Sequence, residues 1–183
     1  MPLNRRGLIA AAGALMAPRA RAQPAQPLRI GVLTDLSGQY RDNSGPTSVL
    51  AAQQAVEDFR PERHGFTVEI LAADHQQKPD VGAAIARQWF DRDGVSAIAD
   101  VNNTAIALAV RTQAIEKDRA LLVSGAASAD LTGKYCSPNM IHWAPDTWGD
   151  AHSTGEALLR AGRKTFFLIV AWTTSSSTAC AAG

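Results

Sequence analysis

The residues with chemistry to offer sit in short polar runs, each directly behind an apolar one. Ser124, Gly125, Ala126, Ala127 and Ser128 follow the run Ala120 to Val123, while Asp100, Val101, Asn102, Asn103 and Thr104 follow Val95 to Ala99. Asp74, His75, Gln76 and Gln77 follow Phe66 to Ala72 in the same way. An apolar run that breaks into small residues with hydroxyls reads as a buried strand ending in a loop, where backbone N–H groups and Ser128 lie open. Hydroxyls, amides and free N–H groups suit the hydrogen bonding of the carboxylate and ammonium of a small zwitterion better than the breaking of a bond. The other reading of Ser124 to Ser128 is a turn into a helix capped by Ser128 or Asp130.

Catalytic chemistry has less to stand on. A nucleophilic site needs a serine or cysteine with a partner base, and His64, His75, His142 and His152 carry no motif tying one of them to a serine. His75 beside Asp74 has the makings of a general base, but a histidine on an exposed loop reads as simply solvated. Cys136 and Cys180 fit no zinc spacing; an oxidising exterior would let them pair, and Cys136 reads as a loop residue. The glycines lack the dinucleotide fingerprint, since Gly31 lies inside a strand and Gly38 and Gly45 are seven apart. Neither a cofactor nor a metal is expected.

The elements that must position these loops alternate regularly. Leu28 to Leu33 is a strand ending at Thr34 and Asp35, followed by a long loop to Pro46. Val49, Ala52, Val56 and Phe59 mark one face of a helix that Pro61 and Gly65 terminate. Phe66 to Ala72 alternates as a second strand, and Pro79 opens a helix striped by Val81, Ile85 and Trp89. The strand Val95 to Ala99 precedes a helix carrying Leu108, Thr112 and Ile115, with asparagine or threonine as its cap. Leu121 to Val123 is the fourth strand. Four strands, each followed by a helix of about 12 to 15 residues, predict an α/β fold with a doubly wound parallel sheet. Ligands bind such sheets outside the carboxyl ends of the strands, where strand order reverses and neighbouring loops diverge.

Composition sets the class. The chain has 183 residues, 46% hydrophobic and 19% charged, enough for a core of ordinary domain size. Its net charge of +1, with the two signs interspersed, offers no field for nucleic acid or an anionic membrane. At the start, Arg5 and Arg6 precede an apolar run from Gly7 to Ala17, and Ala20, Arg21, Ala22 give the small, any, small pattern of a signal-peptidase site. Residues 1–22 are therefore expected to be a cleaved signal peptide and the mature protein to be exported, by the general or the twin-arginine route.

Taken in order, the opening IGVLTDLSG from Ile30 to Gly38, DHQQKPD from Asp74 to Asp80, and SGAASADLTGKYC from Ser124 to Cys136, with Ile141, His142 and Trp143 after it, carry a resemblance. They are similar to the extracytoplasmic substrate-binding proteins of ABC importers, and within these to the branched-chain amino acid (Leu/Ile/Val) binding family of type I periplasmic-binding fold. The resemblance spans about Leu28 to Val170. It implies a three-layer α/β/α ligand-binding lobe over residues 28–145 and the start of a second lobe over 146–183, the two closing on a ligand in a cleft. It further implies that Asn102 or Asn103 stands where a ligand-binding serine often sits, that Ala126 and Ala127 offer backbone groups, and that Ser128 supplies a hydroxyl to the ligand's polar head. Tyr40 and Leu36 would border the cleft.

The same resemblance makes Asp146 and Thr147 the cap of a second-lobe helix whose Leu158 and Leu159 face that lobe's core. Trp143 and Trp148 read as residues buried against neighbours or, alternatively, as platforms for an aromatic ligand. Phe166 to Ala171 reads as the first strand of the second lobe. The low-complexity tail from Trp172 to Gly183 departs from the family pattern and reads as a truncated or frameshifted end, which leaves the second lobe incomplete. The expected function is the periplasmic solute-binding part of an ABC importer, not an enzyme. Its expected partners are an amino acid or related small carboxylate and the importer's permease subunits, and it is expected to be a monomer. A periplasmic sensing module of the same fold and an exported α/β enzyme are the alternatives.

Overall fold

Residues 26–166 are described by a computed structural model, and its central strand is β1 (Leu28–Thr34), which pairs in parallel on both sides. Strand β2 (Val68–Asp74) lies on one flank, and β3 (Val95–Asp100), β4 (Ala120–Val123) and β5 (Met140–His142) succeed one another on the other. The order is β2-β1-β3-β4-β5, all parallel. It is one of the two common doubly wound orders, with its reversal between β1 and β3. Register aligns the carboxyl ends: Thr34 pairs with Asp74, Leu33 with Asp100, Asp100 with Val123, and Val123 with His142. One edge of the sheet therefore carries every polar run singled out by the sequence.

The helices form where the sequence supplies caps and breakers. Helix α1 (Gly45–Phe59) starts with proline in its first turn and ends at Arg60, whose left-handed backbone (φ 53°) donates its N–H to Val56. Helix α2 (Pro79–Asp91) also begins with proline, and α3 (Thr104–Glu116) begins at Asn103, whose side chain accepts from the N–H groups of Ala105 and Ile106. That is the capping role expected of an asparagine there.

Helices α2 and α3 pack against each other, and their buried residues fill the core together with Leu33, Val95, Ile98, Leu121 and Val123. Glycines make the close approaches possible. A methyl group at Gly31 in β1 would lie 2.3 Å from the Trp89 ring, and one at Gly82 would lie 2.6 Å from Ile106. Helix α1 lies over β1 and β2 without a comparable core: Val49, Ala52 and Val56 are half-buried and Phe59 is exposed. No helix among the described residues is long and apolar enough to cross a membrane.

Several expectations need correction. The buried face of α2 is Gly82, Ala86, Trp89 and Phe90, so Val81 and Ile85 are only half-buried. In α3 the buried face is Ile106, Ala107, Val110, Gln113 and Ala114, whereas Thr112 and Ile115 are exposed. Apolar residues surround α3, so periodicity did not single out the face that meets the sheet. β4 is not followed by a long helix but by a single 3₁₀ turn (Ala129–Leu131), and the chain then adds β5. Ile141 and His142, which the sequence offered only as part of the resemblance, belong to the fifth strand of the sheet; three residues are too short for a period to register.

Helix α4 (Thr147–Arg160) is capped by Asp146, which accepts from Gly149 N–H, and none of its residues is buried. Trp143 and Trp148 are exposed at 82% and 61%, against the expectation of burial, and Trp148 stacks on His152 at 4.0 Å. Leu158 and Leu159 are likewise exposed among the described residues. The expected signal peptide, the strand beyond Phe166, the tail and Cys180 lie outside the described residues; Cys136 is exposed.

Candidate functional site

At the end of β1 the chain is clamped by Asp35, which is buried although acidic. Its carboxylate accepts from the N–H groups of Gly38 (2.6 Å) and Tyr40 (3.0 Å) and from the Gln77 amide (2.9 Å). Burial by itself would raise this carboxyl's pKa, but the Tyr40, Gly38 and Gln77 donors outweigh it and hold the group below its ordinary value. The next part of the loop is fixed through Thr34, whose hydroxyl accepts from Gly45 N–H and meets Ser44 at 3.3 Å. Ser44 in turn donates to the Tyr40 carbonyl.

The loop after β2 is built on two left-handed residues, Gln76 (φ 52°) and Gln77 (φ 55°). His75, expected to be solvated, is fully buried. Its Nδ1 accepts from Gln77 N–H at 3.2 Å, so Nε2 carries the proton and donates to Asn102 Oδ1 at 2.9 Å. Burial pushes its pKa below the ordinary histidine value, against the opposing pull of Asn102 and of Asp35, Asp74 and Asp100. Both ring nitrogens are thus occupied by the protein, and His75 is a strut rather than a base facing a substrate. The Asp74 carboxyl is also held low: the Ser37 hydroxyl and the Gln76 and Leu36 N–H groups overcome the effect of its burial.

After β3 the backbone turns through two further left-handed residues, Asp100 (φ 78°) and Val101 (φ 57°). Such a conformation costs roughly 1–3 kcal/mol at a non-glycine residue, most for a β-branched one, and persists only where the surroundings impose it. Here Val101 N–H bonds the Leu33 carbonyl at 3.0 Å, and the Asp100 carbonyl accepts from Ser124 N–H at 3.1 Å. The turn brings Asn102 over the β1 loop, where its Nδ2 donates to Ser44 Oγ at 2.5 Å. Asn103 caps α3 and donates to Gln77 Oε1 at 2.9 Å. The result is one continuous polar lattice across three loops, running from Asp35 through Gln77, His75 and Asn102 to Ser44.

The loop after β4 approaches this lattice closely. A methyl group at Gly125 would stand 2.8 Å from the Asn102 Cα, so only glycine fits without displacing a loop. Ser128 is buried and its Oγ accepts from Asp130 N–H at 3.3 Å, capping the 3₁₀ turn. The Ala126 carbonyl takes a 2.6 Å bond from His142 Nε2, and the Ala127 carbonyl accepts from Thr147 N–H. The N–H groups from Gly125 to Ser128 have no acceptor among the described residues.

Between these loops lies an open cavity of about 570 Å³. The β1 loop and the start of α1 contribute Tyr40, Asn43, Ser44 and Ser48 to its wall. From the β3 loop come Asp100, Asn102, Asn103 and Thr104, and from the β4 loop Ser124, Gly125 and Ala127. Ala144, Pro145 and Asp150 close the side beyond β5. Tyr40, Asn102, Asn103 and Ala127 are therefore brought together on the wall. Ala126 and Ser128 are not on it: both are buried behind the loop, where the 3₁₀ turn and β5 cover them. The amides of Asn102 and Asn103 are engaged inside the protein. The β2 loop contributes no wall residue and acts from behind, through His75 and Gln77.

Sequence reasoning passed over Ser44 and Asp150, and named Asp100 and Thr104 only within the loop after β3. An acidic residue closing the buried run Val95 to Ala99 was the available signal for Asp100. No group of three or more His, Cys, Asp or Glu among the described residues is placed to hold a metal ion.

A family whose sequence model is described as "Periplasmic binding protein" matches residues 27–182. No curated protein matches the chain. Among solved structures, a periplasmic binding protein from Burkholderia mallei is 38% identical, with a TM-score of 0.73 over 76% of this chain and 37% of that one. A branched chain amino acid ABC transporter periplasmic ligand-binding protein from Burkholderia xenovorans LB400 is 36% identical, with a TM-score of 0.76 over 84% of this chain and 41% of that one. An ABC transporter solute binding protein from R. palustris, in complex with 4-hydroxybenzoate, shares the fold at 22% identity and a TM-score of 0.76, over 85% and 42% of the two chains. The chain thus spans less than half the length of these structures.

Proposed function

The chain belongs to the periplasmic binding protein family, with the α/β fold of type I, and on that premise we propose that it is the solute-binding component of an ABC importer. The observation that carries the proposal is the cavity at the carboxyl edge of the sheet, at the reversal of strand order. Its wall of hydroxyls, amides and unpaired N–H groups is suited to the polar head of an amino acid or related small carboxylate. The wall residues Tyr40, Asn102, Asn103 and Ala127 would meet that head, with Ala126 and Ser128 supporting the loop from behind. Binding rather than turnover is favoured because His75, the one histidine with general-base potential, has both nitrogens bonded within the protein.

In this reading residues 28–145 form a ligand-binding lobe, residues from 146 belong to an opposing lobe, and capture follows closure of the two. The protein works as a periplasmic monomer after removal of residues 1–22 and delivers its ligand to permease subunits. Thermal unfolding of the purified protein against a panel of amino acids and small carboxylates tests it. A ligand present at about a hundred times its Kd stabilises by about 2.7 kcal/mol, which for a domain of this size raises the midpoint by on the order of 5–10 °C. A panel that moves the midpoint nowhere, or a ligand chemically converted during incubation, contradicts the proposal.

A further inference from the structure

Three loops meet behind the cavity, and one side chain joins them without reaching the cavity itself. The Gln77 amide donates to Asp35 Oδ2 at 2.9 Å, and its Oε1 accepts from Asn103 at 2.9 Å. Asp35 in turn holds the N–H of Tyr40 at 3.0 Å, so Gln77 ties the wall residues Tyr40 and Asn103 to each other. The backbone of Gln77 is left-handed (φ 55°), as is that of Gln76 (φ 52°), a conformation that persists only where its surroundings impose it. Part of that support is the 3.2 Å bond from Gln77 N–H to His75 Nδ1, which exists only while Nδ1 carries no proton.

A proton on His75 acts selectively. The bond from Nε2 to Asn102 Oδ1 needs a donor and survives, whereas Nδ1 would set N–H against N–H at Gln77. The charged groups acting on the ring are Asp35 from the β1 loop, Asp74 beside it, and Asp100 at the end of β3. Asp100 Oδ1 accepts from Ser124, and its Oδ2 is buried without a partner among the described residues. A methyl group at Gly82 of α2 would lie 3.8 Å from the His75 Cβ; Lys78 and Asp80 at the start of that helix are exposed, and α3 presents Ile106 and Val110 there. Burial favours the neutral ring and the three carboxylates oppose it. His142, behind the β4 loop, donates through Nε2 to the Ala126 carbonyl and keeps that bond in either charge state.

We propose that His75 is a positioning residue whose protonation releases Gln77, loosens the brace between the β1 and β3 loops, and weakens the hold of the site on its solute while the protein is still folded. The inference rests on the solute-binding reading and adds a regulation of the same site. A solute that favours the braced wall favours neutral His75, so in acid its binding expels a proton, and its affinity is constant above the histidine range and falls below it. One fully coupled proton lowers affinity by at most about tenfold per pH unit.

Calorimetric titration with L-leucine, L-phenylalanine and 4-hydroxybenzoate, which keep their charge between about pH 7.5 and about pH 5.5, tests the inference. For at least one of them the wild-type Kd is expected to be larger at the lower pH by about twofold or more, with the circular dichroism of the protein unchanged. Binding at the lower pH is also expected to release a proton, seen as a heat that varies with the ionisation enthalpy of the buffer. His75→Gln keeps a donor for Asn102 and cannot titrate, and its affinity is expected to be the same at both pH values. A wild-type affinity that does not change with pH, binding without proton release, or an equal pH dependence in His75→Gln overturns the inference while leaving the solute-binding reading intact. Binding of no probe by the wild type overturns both. The wild-type proton release needs no variant to fold.

Discussion

His75 sits at the crossing of three loops, and its neutrality is a condition of the fold. One nitrogen must accept from Gln77 N–H while the other donates to Asn102, an arrangement that a second proton would break. Its folded pKa lies below the ordinary 6.5, so as pH falls below about that value the unfolded chain takes up a proton that the folded chain refuses. Stability is then complete above about pH 6.5 and declines as the pH falls toward the folded pKa. Asp35 and Asp74 act lower down, because their folded pKa values lie below 3.8; their contribution holds above that value and is lost as pH falls through the folded ones. The urea midpoint is expected to drop between about pH 7.5 and about pH 5.5, and His75→Gln is expected to flatten that drop. An equal drop in the variant would assign the acid sensitivity elsewhere.

Among the elements, the contact between α2 and the sheet depends on a missing side chain. Gly31 leaves a hollow in β1 that the Trp89 indole fills, and a methyl group there would sit 2.3 Å from Cζ3. Overfilling of this kind costs about 1–3 kcal/mol, so Gly31→Ala should lower the stability measured by urea denaturation by that amount. An unchanged midpoint would mean that α2 shifts freely on the sheet. How far elements were legible in the sequence follows from what each one needs. β1, β2, β3 and β4 announced themselves as apolar runs broken by polar loops, and α1, α2 and α3 by proline or asparagine at their starts. The buried face of α3 was not legible, because Leu108 and Ile115 are as apolar as Ile106 and Val110 and only the sheet distinguishes them. β5 is a strand by virtue of its pairing with β4, a partnership invisible in three residues. In the site, the loops were readable as strand ends, but the orientation of Ser128 and the isolation of Asp100 Oδ2 depend on contacts between distant segments.

At the scale of the molecule, the sheet is buried unevenly. The face covered by α2 and α3 carries the core, whereas Leu122 of β4 and Ile141 of β5, which pair with each other, are both exposed, as are Trp143 and Trp148 beyond them. The cavity stands at the edge where this sparsely covered region begins, with Ala144, Pro145 and Asp150 on its far wall. The polar lattice behind it joins the loops of β1, β2 and β3 into one support, and such support is what holds recognition groups to the tolerances that binding requires. The central claim is that this edge receives a small polar solute. Amide chemical-shift mapping during titration with the amino acid and small-carboxylate panel addresses it most directly. The account predicts perturbations concentrated at Tyr40 to Ser48, Asp100 to Thr104 and Ser124 to Ser128; shifts that are absent throughout, or that gather on α1, α2 or the outer face of α3, would contradict it.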